Sequence, residues 1–455
     1  MASRSRLAKF GRPKHFSAQS LPGTSPDLVF MENQIGSRLK FPPALIMVVA
    51  ALVYVLAVIQ RMSPPVVALD IMNDLGLNPD SLSLMFAATL VCYGVMQPVA
   101  GFWADRFGPR RCLLAAALVL GLTSFGFYAA RGMLLGLPSR ALVGLAGGVV
   151  LIPCLKLAGN WFTPKQFGFI SSCMVASAAV ANFIVGRPLA VAVGAFGWRW
   201  CFAALGVVGL ILAGLIFLMV HDRPPAPPTA QTLPEEPAPR PGFIKNTLAI
   251  VRLPEFWLLG FMYSCTDMIY GTFTGLWAGP YLMEVYGLSE ETVGNMLSVA
   301  AMGFLVGPPL WVLLAAAWNS YAKMLLGATI ANVVIAGIFV KSPDFLGVPS
   351  LYLLCVIAPI GAQMANMVFI LATNLVPGHM SASAMGLINI FAILPVAFMQ
   401  KIIGGLLARG ETLEPALSAR ELYGQAFTPM LICMIISVPL AVWQVRREKK
   451  VGAAF

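Results

Sequence analysis

Five ionisable side chains lie inside long apolar runs of this chain: Arg61, Lys156, Arg187, Asp267 and Lys401. At bilayer depth a charge costs about 2.5 to 3.5 kcal/mol on insertion scales, so each needs a polar cavity, a partner or a route to the membrane edge. Four are basic and one is acidic. That balance points to recognition of a small anion, with the carboxylate available to carry a proton. A planar guanidinium fork matches carboxylate or phosphate, which ranks Arg61 and Arg187 above the two lysines. Each residue also has a plainer reading. Arg61, just before Ser63-Pro64-Pro65, is either a cavity residue or an outer-edge anchor; Lys156 enters the cavity or snorkels to the boundary. Arg187 lies deeper than Lys401, which is nearer the outer edge. Asp267 is a proton carrier, half of a fixed ion pair, or a cation-recognition group.

Neutral polar groups accompany them. Tyr54 shares a run with Arg61; Tyr270, Thr272, Thr274 and Trp277 follow Asp267; Gln363, Asn366 and Asn374 recur at helical spacings. Such groups orient a small solute by hydrogen bonds and stacking. They serve equally well as polar packing between helices.

The elements that must carry these residues follow from composition. The 455 residues are 58% hydrophobic and 11% charged, with mean hydropathy +0.81, whereas soluble domains carry about 25% charge. A soluble enzyme is excluded, because so much apolar side chain has no core of sufficient size to enter. The eight cysteines all fall in apolar stretches without CxxC or Cys/His spacing, so neither a disulfide framework nor a zinc site is implied. His15, His221 and His379 lie outside the apolar runs, and no Ser/His/Asp grouping appears. The chain reads as a non-enzyme with no cofactor.

Runs of about 20 apolar residues occur at 42–69, 81–101, 112–130, 138–159, 167–195 and 199–220, and again at 255–283, 292–317, 322–340, 350–376, 383–408 and 425–445. The expected architecture is an all-α membrane protein of twelve transmembrane helices: a bundle at 41–220, a Pro-rich linker at 221–252 and a second bundle at 253–447. The linker run HDRPPAPPTAQTLPEEPAPRP reads as extended and flexible. A basic tail (1–40) and a short tail (448–455) flank the bundles. The first thirty residues have the composition of a transit peptide or of a disordered cytoplasmic tail, and Met31 is a candidate start.

Twenty of the 30 Lys and Arg cluster at one set of helix ends and six at the other, leaving four in the runs. By the positive-inside rule both termini and the linker face the cytoplasm, as in a multi-pass inner or plasma membrane protein. The net charge of +11 is therefore mostly a topology imprint and implies no nucleic-acid partner. Partners expected are the bilayer, a small solute and a proton or other coupling ion, with the protein acting as a monomer.

Between the second and third runs the chain reads Gly101-Phe-Trp-Ala-Asp105-Arg106-Phe-Gly108-Pro-Arg110-Arg111. This resembles the signature loop G-x-x-x-D-R-x-G-x-R-R of the major facilitator superfamily, with every defining position filled. From the residues alone, Gly101 allows close helix approach, Asp105 can face a helix N-terminus or a base, and Arg110 and Arg111 anchor the loop. The resemblance implies that this cluster latches two halves on the cytoplasmic side. Arg140-xxx-Gly144-xx-Gly147-Gly148 resembles the superfamily's fourth-helix motif, although an Arg at a helix mouth is as often an anchor. The equivalent loop from Gly307 lacks the Asp-Arg pair, and no fifth-helix antiporter motif is evident, Gly186-Arg187-Pro188 being at most a remnant.

The first run further resembles that of organic-phosphate and related anion permeases, which implies an anion-holding role for Arg61. In the implied fold, runs 1, 4, 7 and 10 line a central cavity and runs 3, 6, 9 and 12 face lipid; none of the five charges lies in the latter. The implied function is secondary transport of a small, anionic solute by alternating access, with or without proton symport. The alternatives are export of a hydrophobic or metal-chelating compound, and a non-transporting sensor on the same fold.

Overall fold

Proline opens six of the helices. It sits at the first turn, where its missing N–H is no loss and its fixed φ suits helical entry, at Pro43, Pro64, Pro79, Pro109, Pro164 and Pro254. The computed structural model of the chain describes residues 41–224 and 243–452, apart from short stretches at 319, 343–345, 364, 378–379, 411 and 413–416. The tail 1–40 and most of the Pro-rich linker lie outside the described residues.

The first bundle comprises α1 (Pro43–Met62), α2 (Pro64–Leu75), α3 (Pro79–Phe107), α4 (Pro109–Tyr128), α5 (Met133–Trp161), α6 (Pro164–Val185), α7 (Arg187–Phe196) and α8 (Trp198–Met219). A short helix α9 (Phe243–Val251) precedes the second bundle. There α10 (Pro254–Met268) runs into a π-helical segment (Ile269–Trp277) and then α11 (Ala278–Tyr286). The chain continues through α12 (Glu290–Trp318), α13 (Tyr321–Lys341), α14 (Val348–Ala362), α15 (Ala365–Thr373), α16 (Ser381–Gly410) and α17 (Ala419–Gly452).

Among the described residues nine helices are each long and apolar enough to cross a membrane. The other three expected crossings are α10 with its π segment and α11, helix α12, and the pair α14 and α15. Four spans are interrupted: the breaks in spans five and ten correct the expectation of continuous runs, whereas Ser63-Pro64-Pro65 and the run at 275–281 already pointed to a kink in spans one and seven. Span one breaks at Ser63-Pro64, span five at Gly186, span seven at the π segment and span ten at Gln363. Proline or glycine accounts for the first two; removal of a backbone donor or of a side chain loosens the ladder there. The linker expectation is also corrected, because 243–251, FIKNTLAIV, carries enough apolar residues to form a helix, with Ile250 fully buried.

Pairing repeats between the bundles. Helices α3 with α5 and α4 with α8 pack closely in the first, as α12 with α14 and α13 with α17 do in the second. Three seams join the bundles: α2 with α11 and the π segment, α3 with α16, and α6 and α7 with α12. Backbones meet at glycines along them. A Cβ on Gly279 would lie 1.6 Å from the Pro65 carbonyl oxygen, one on Gly186 2.3 Å from the Ser298 nitrogen, and one on Gly404 2.6 Å from the Pro79 oxygen. All three contacts lie towards the face opposite the described chain ends, called here the far face. The ends of the described chain lie at the terminal face.

Candidate functional site

Arg61 closes the last turn of α1, immediately before the break. Pro64 has no N–H to offer the Gln60 carbonyl four residues back. That carbonyl is satisfied instead by Ser63 Oγ at 3.2 Å and by Arg140 at 2.7 Å. The Arg61 side chain turns over the Tyr93 ring, with Cζ 4.3 Å from the centroid, and its Nε has no partner. Tyr54, almost fully buried, and Tyr270 act electrostatically on the same guanidinium.

Asp267 occupies the last turn of α10, two residues before the first residue of the π segment. Its Oδ2 would be 3.3 Å from a Cβ on Gly271, so glycine leaves the carboxylate room over the widened backbone. Asp267 and Arg61 come from different bundles, and the Arg61 charge is felt at the Asp267 carboxyl without an ion pair between them among the described residues. Both, with Tyr270, are set deep in the molecule yet keep accessible surface, as groups facing an internal space do.

Towards the far face Tyr270 donates to Asn182 Oδ1 of α6 at 3.2 Å. Beside this contact lies a cavity of about 30 Å³, lined by Met62, Pro65, Thr274 and Leu297 among others, room for about one water. Above it the bundles are bolted together. Arg187 pairs with Glu291 at 2.9 Å and Lys401 with Asp80; the Arg187 N–H donates to Ser298 Oγ at 2.6 Å, and Ser298 Oγ donates to the Phe183 carbonyl. Among the described residues, every hydrogen bond and ion pair between the bundles lies at the Tyr270 level or farther from the terminal face. The internal space is closed on the far face.

Three of the five charges therefore leave the centre. Arg187, with about half its side chain exposed, and Lys401 are far-face latches. Lys156 donates to the Ala104 carbonyl at 2.6 Å and to Asp105 Oδ1 at 2.8 Å, so it braces the signature loop. The count of four buried cations against one carboxylate is corrected to one central cation, Arg61, with one carboxylate, Asp267, on the other bundle. Sequence spacing missed this because depth along a helix says nothing about which neighbour carries the opposite charge.

The remaining candidates separate similarly. Trp277 is buried with its Nε1 unpartnered, on the π segment. Gln363 sits at the turn between α14 and α15, its side chain against Gly307. Asn374 is exposed at the end of α15, and the Asn366 side chain lies outside the described set. Asn182, Tyr93 and Gln60 were absent from the sequence expectations, since a lone amide or phenol in an apolar run carries no spacing signal.

In the signature loop, a Cβ on Gly101 would meet nothing within 4 Å, which corrects the expected close approach there; the seams that close lie at the opposite face. Gly108 is required, with φ +83° and a Cβ position 2.4 Å from Asp222 Oδ2. The Arg110 backbone N–H donates to Asp222 Oδ1 at 2.7 Å and its side chain to the Phe217 carbonyl. Arg106 lies over Phe107, and Arg111 is exposed. Arg140 is 1% exposed, between Phe86 and Phe127 with Cζ 4.7 and 5.4 Å from the ring centroids. It is a buried strut rather than an anchor at the helix mouth. Gly144 lets α5 approach α3, its Cβ position being 2.1 Å from the Thr89 carbonyl oxygen.

Two helical bundles joined by glycine seams, with Arg61 of one and Asp267 of the other set deep between them, define a polytopic membrane protein. The chain belongs to the Major Facilitator Superfamily, whose sequence model matches residues 50–399. It is 26% identical over 284 residues to a hexuronate transporter of Bacillus subtilis (strain 168), covering 59% of this chain and 65% of the relative. It is 27% identical over 307 residues to a probable L-galactonate transporter of Escherichia coli (strain K12), covering 64% of each. A probable sulfoacetate transporter of Cupriavidus necator is 27% identical over 276 residues, 58% of this chain and 63% of the relative. The matches thus span just under two thirds of these relatives. Among solved structures, the fold is similar to that of a bacterial homologue of the human lysosomal transporter Spinster in an inward-facing, unoccupied conformation, with TM-score 0.71, 16% identity, and coverage of 89% of this chain and 97% of that one.

Proposed function

We propose that the protein is a secondary transporter that moves a small organic anion by alternating access, residues 41–220 rocking against 253–447. The observation that carries this reading is Arg61, a guanidinium set deep between the bundles that keeps accessible surface and whose buried Nε has no hydrogen-bond partner. An anionic group of the solute pairs with that fork. Asp267 across the space lets proton uptake accompany the anion: a neutral acid leaves Arg61 to the solute, and a carboxylate competes for it. The relatives' names support the substrate class, since hexuronate, L-galactonate and sulfoacetate are all small carboxylates. On this reading Tyr54, Tyr270 and Asn182 meet the solute's hydroxyl groups, the Tyr270–Asn182 hydrogen bond being exchanged for bonds to the solute.

On this reading both termini face the cytoplasm, the far face is extracytoplasmic, and the conformation described is open inward. The protein works as a monomer in the inner or plasma membrane. Uptake of labelled galacturonate, galactonate and sulfoacetate into proteoliposomes, with and without an inward proton gradient, tests the proposal. Saturable uptake lost in Arg61→Ala supports it; uptake by Arg61→Ala equal to that of the parent protein overturns it.

A further inference from the structure

On the far face a cavity of about 600 Å³ is lined by Asp70, Asn73, Asp74, Gly194, Trp198 and Glu290. Asp70 comes from α2 in the first bundle and Glu290 is the first residue of α12 in the second. Closure of the far face brings these two carboxylates together. A carboxylate four residues on, Asp74, stands on the same side of α2.

The neighbouring charges are already engaged. Asp74 accepts from Arg199 Nε at 2.8 Å and Trp198 Nε1 at 3.0 Å, both on α8. Arg187 of α7 holds Glu291 of α12, and Lys401 holds Asp80 of α3. Glu284 of α11 accepts from Tyr423 at 3.0 Å. The phenols of Tyr270, Tyr281 and Tyr286 on the π segment and α11 supply no cation. Among the described residues this leaves Asp70 and Glu290 with no basic partner, facing each other across the seam between bundles.

We propose that Asp70 and Glu290 form a proton-operated gate on the far face: a proton taken up there lets the bundles close, and its loss drives them apart. The proposal rests on the alternating-access reading above. Asp70 is half-buried, which penalises its charged form, so the proton is held there. Partial burial, then Glu290, then Asp74 push the Asp70 carboxyl up to about 6. When the far face opens, Glu290 moves off and Asp70 gains further exposure to water, returning it towards the ordinary carboxylate range. The closed state therefore binds the proton more tightly, is favoured below about pH 6, and loses that advantage as pH rises through this value. The gate senses the far-side medium, which separates it from any proton travelling with solute at Asp267.

Spin labels at Leu77→Cys and Ser289→Cys, in a cysteine-free background of the full chain, place one reporter at the far-face end of each bundle. Pulsed electron resonance between pH 5 and 8.5 should show a long-distance population growing about tenfold relative to the short one as pH passes 6. Asp70→Asn with Glu290→Gln should stay short throughout. A titration identical in that double variant overturns the gate. Gly279→Leu, whose side chain has no room against Pro65, reports the long distance independently of pH. Long distances in Gly279→Leu with no pH response in the parent background refute the gate and leave alternating access standing. A short distance in Gly279→Leu as well refutes the underlying two-state motion and the gate with it.

Discussion

The guanidinium of Arg140 donates to the carbonyl of Gln60 across 2.7 Å, in a site with no access to solvent. This carbonyl is the one that Pro64 cannot serve, and it ends the helix whose last turn carries Arg61. A cation at a helix C-terminus is favoured by the macrodipole, and stacking on Phe86 and Phe127 adds cation–π attraction. Arg140 thus fixes the backbone from which Arg61 projects, linking the fourth-helix motif to the central cation.

Loss of that strut should be felt at a distance. Arg140→Ala removes a charged hydrogen bond worth about 1.5 to 3 kcal/mol and leaves a buried carbonyl with one weak partner. Thermal unfolding of the purified protein should fall by several degrees, and anion affinity should drop although Arg140 does not touch the solute. Arg140→Lys keeps the charge but loses the planar fork between the rings, so it should recover part of the stability and less of the affinity. Equal behaviour of the Lys variant and the parent protein would show that geometry is unimportant there.

Arg61 and Arg187 should behave in opposite ways. Truncating Arg61 to Ala removes the central cation, and solute binding by calorimetry should weaken by about thirtyfold or more, since breaking a buried charged contact costs about 2 to 5 kcal/mol. Arg187→Ala breaks a pair whose members are both more than half exposed, and exposed pairs contribute about 0 to 1 kcal/mol. Its affinity should stay within a few-fold of the parent value. A large loss in Arg187→Ala would return it to the site.

The difference between these two arginines shows what the sequence carried and what it did not. Hydropathy is a property of single segments and marked the apolar helices, and Pro64-Pro65 marked the break in span one, whereas the break at Gly186 was not signalled. The signature loop, a local motif, was legible in full. Partner choice is not local: Glu291 for Arg187, Asp80 for Lys401 and Asp105 for Lys156 are 104, 321 and 51 residues away. Gly101 and Gly279 are equally glycine in the sequence, yet only Gly279 meets a backbone in this conformation. The π segment was also hidden, since Gly275 and Pro280 signal a kink without saying that the helix widens before them.

Lys401 and Asp80 join the bundles at the rim of the far face, both partly exposed. Lys401→Ala should shift the balance towards the far-face-open state by no more than about fivefold, the worth of one exposed pair, with solute affinity unchanged. The exchanged pair, Lys401→Asp with Asp80→Lys, should restore the balance. Distance measurement between labelled bundle ends checks both; failure of the exchange to restore the distance would assign the effect to helix packing rather than charge.

Gly279 offers the sharpest test of the seams. Its Cβ position is 1.6 Å from the Pro65 carbonyl oxygen, inside any permitted contact, and the obstructing atom is backbone at a Pro-Pro break and so has no rotamer to escape into. Even Ala must push α11 away from α2, and the motion this requires is the one that opens the far face. Gly279→Ala should therefore bind solute from the far side while transporting slowly, because the closed state is penalised by more than a small packing defect, about 1 to 3 kcal/mol. Ser83, fully buried at the α3–α16 seam, supplies the reporter: a cysteine there should react with a membrane-impermeant maleimide at least ten times faster in the Gly279→Ala background. Gly101→Ala, with nothing near its Cβ position in this state, should leave that rate unchanged. An unaltered labelling rate in Gly279→Ala would mean that the three seams open independently, and that the bundles do not move as rigid bodies.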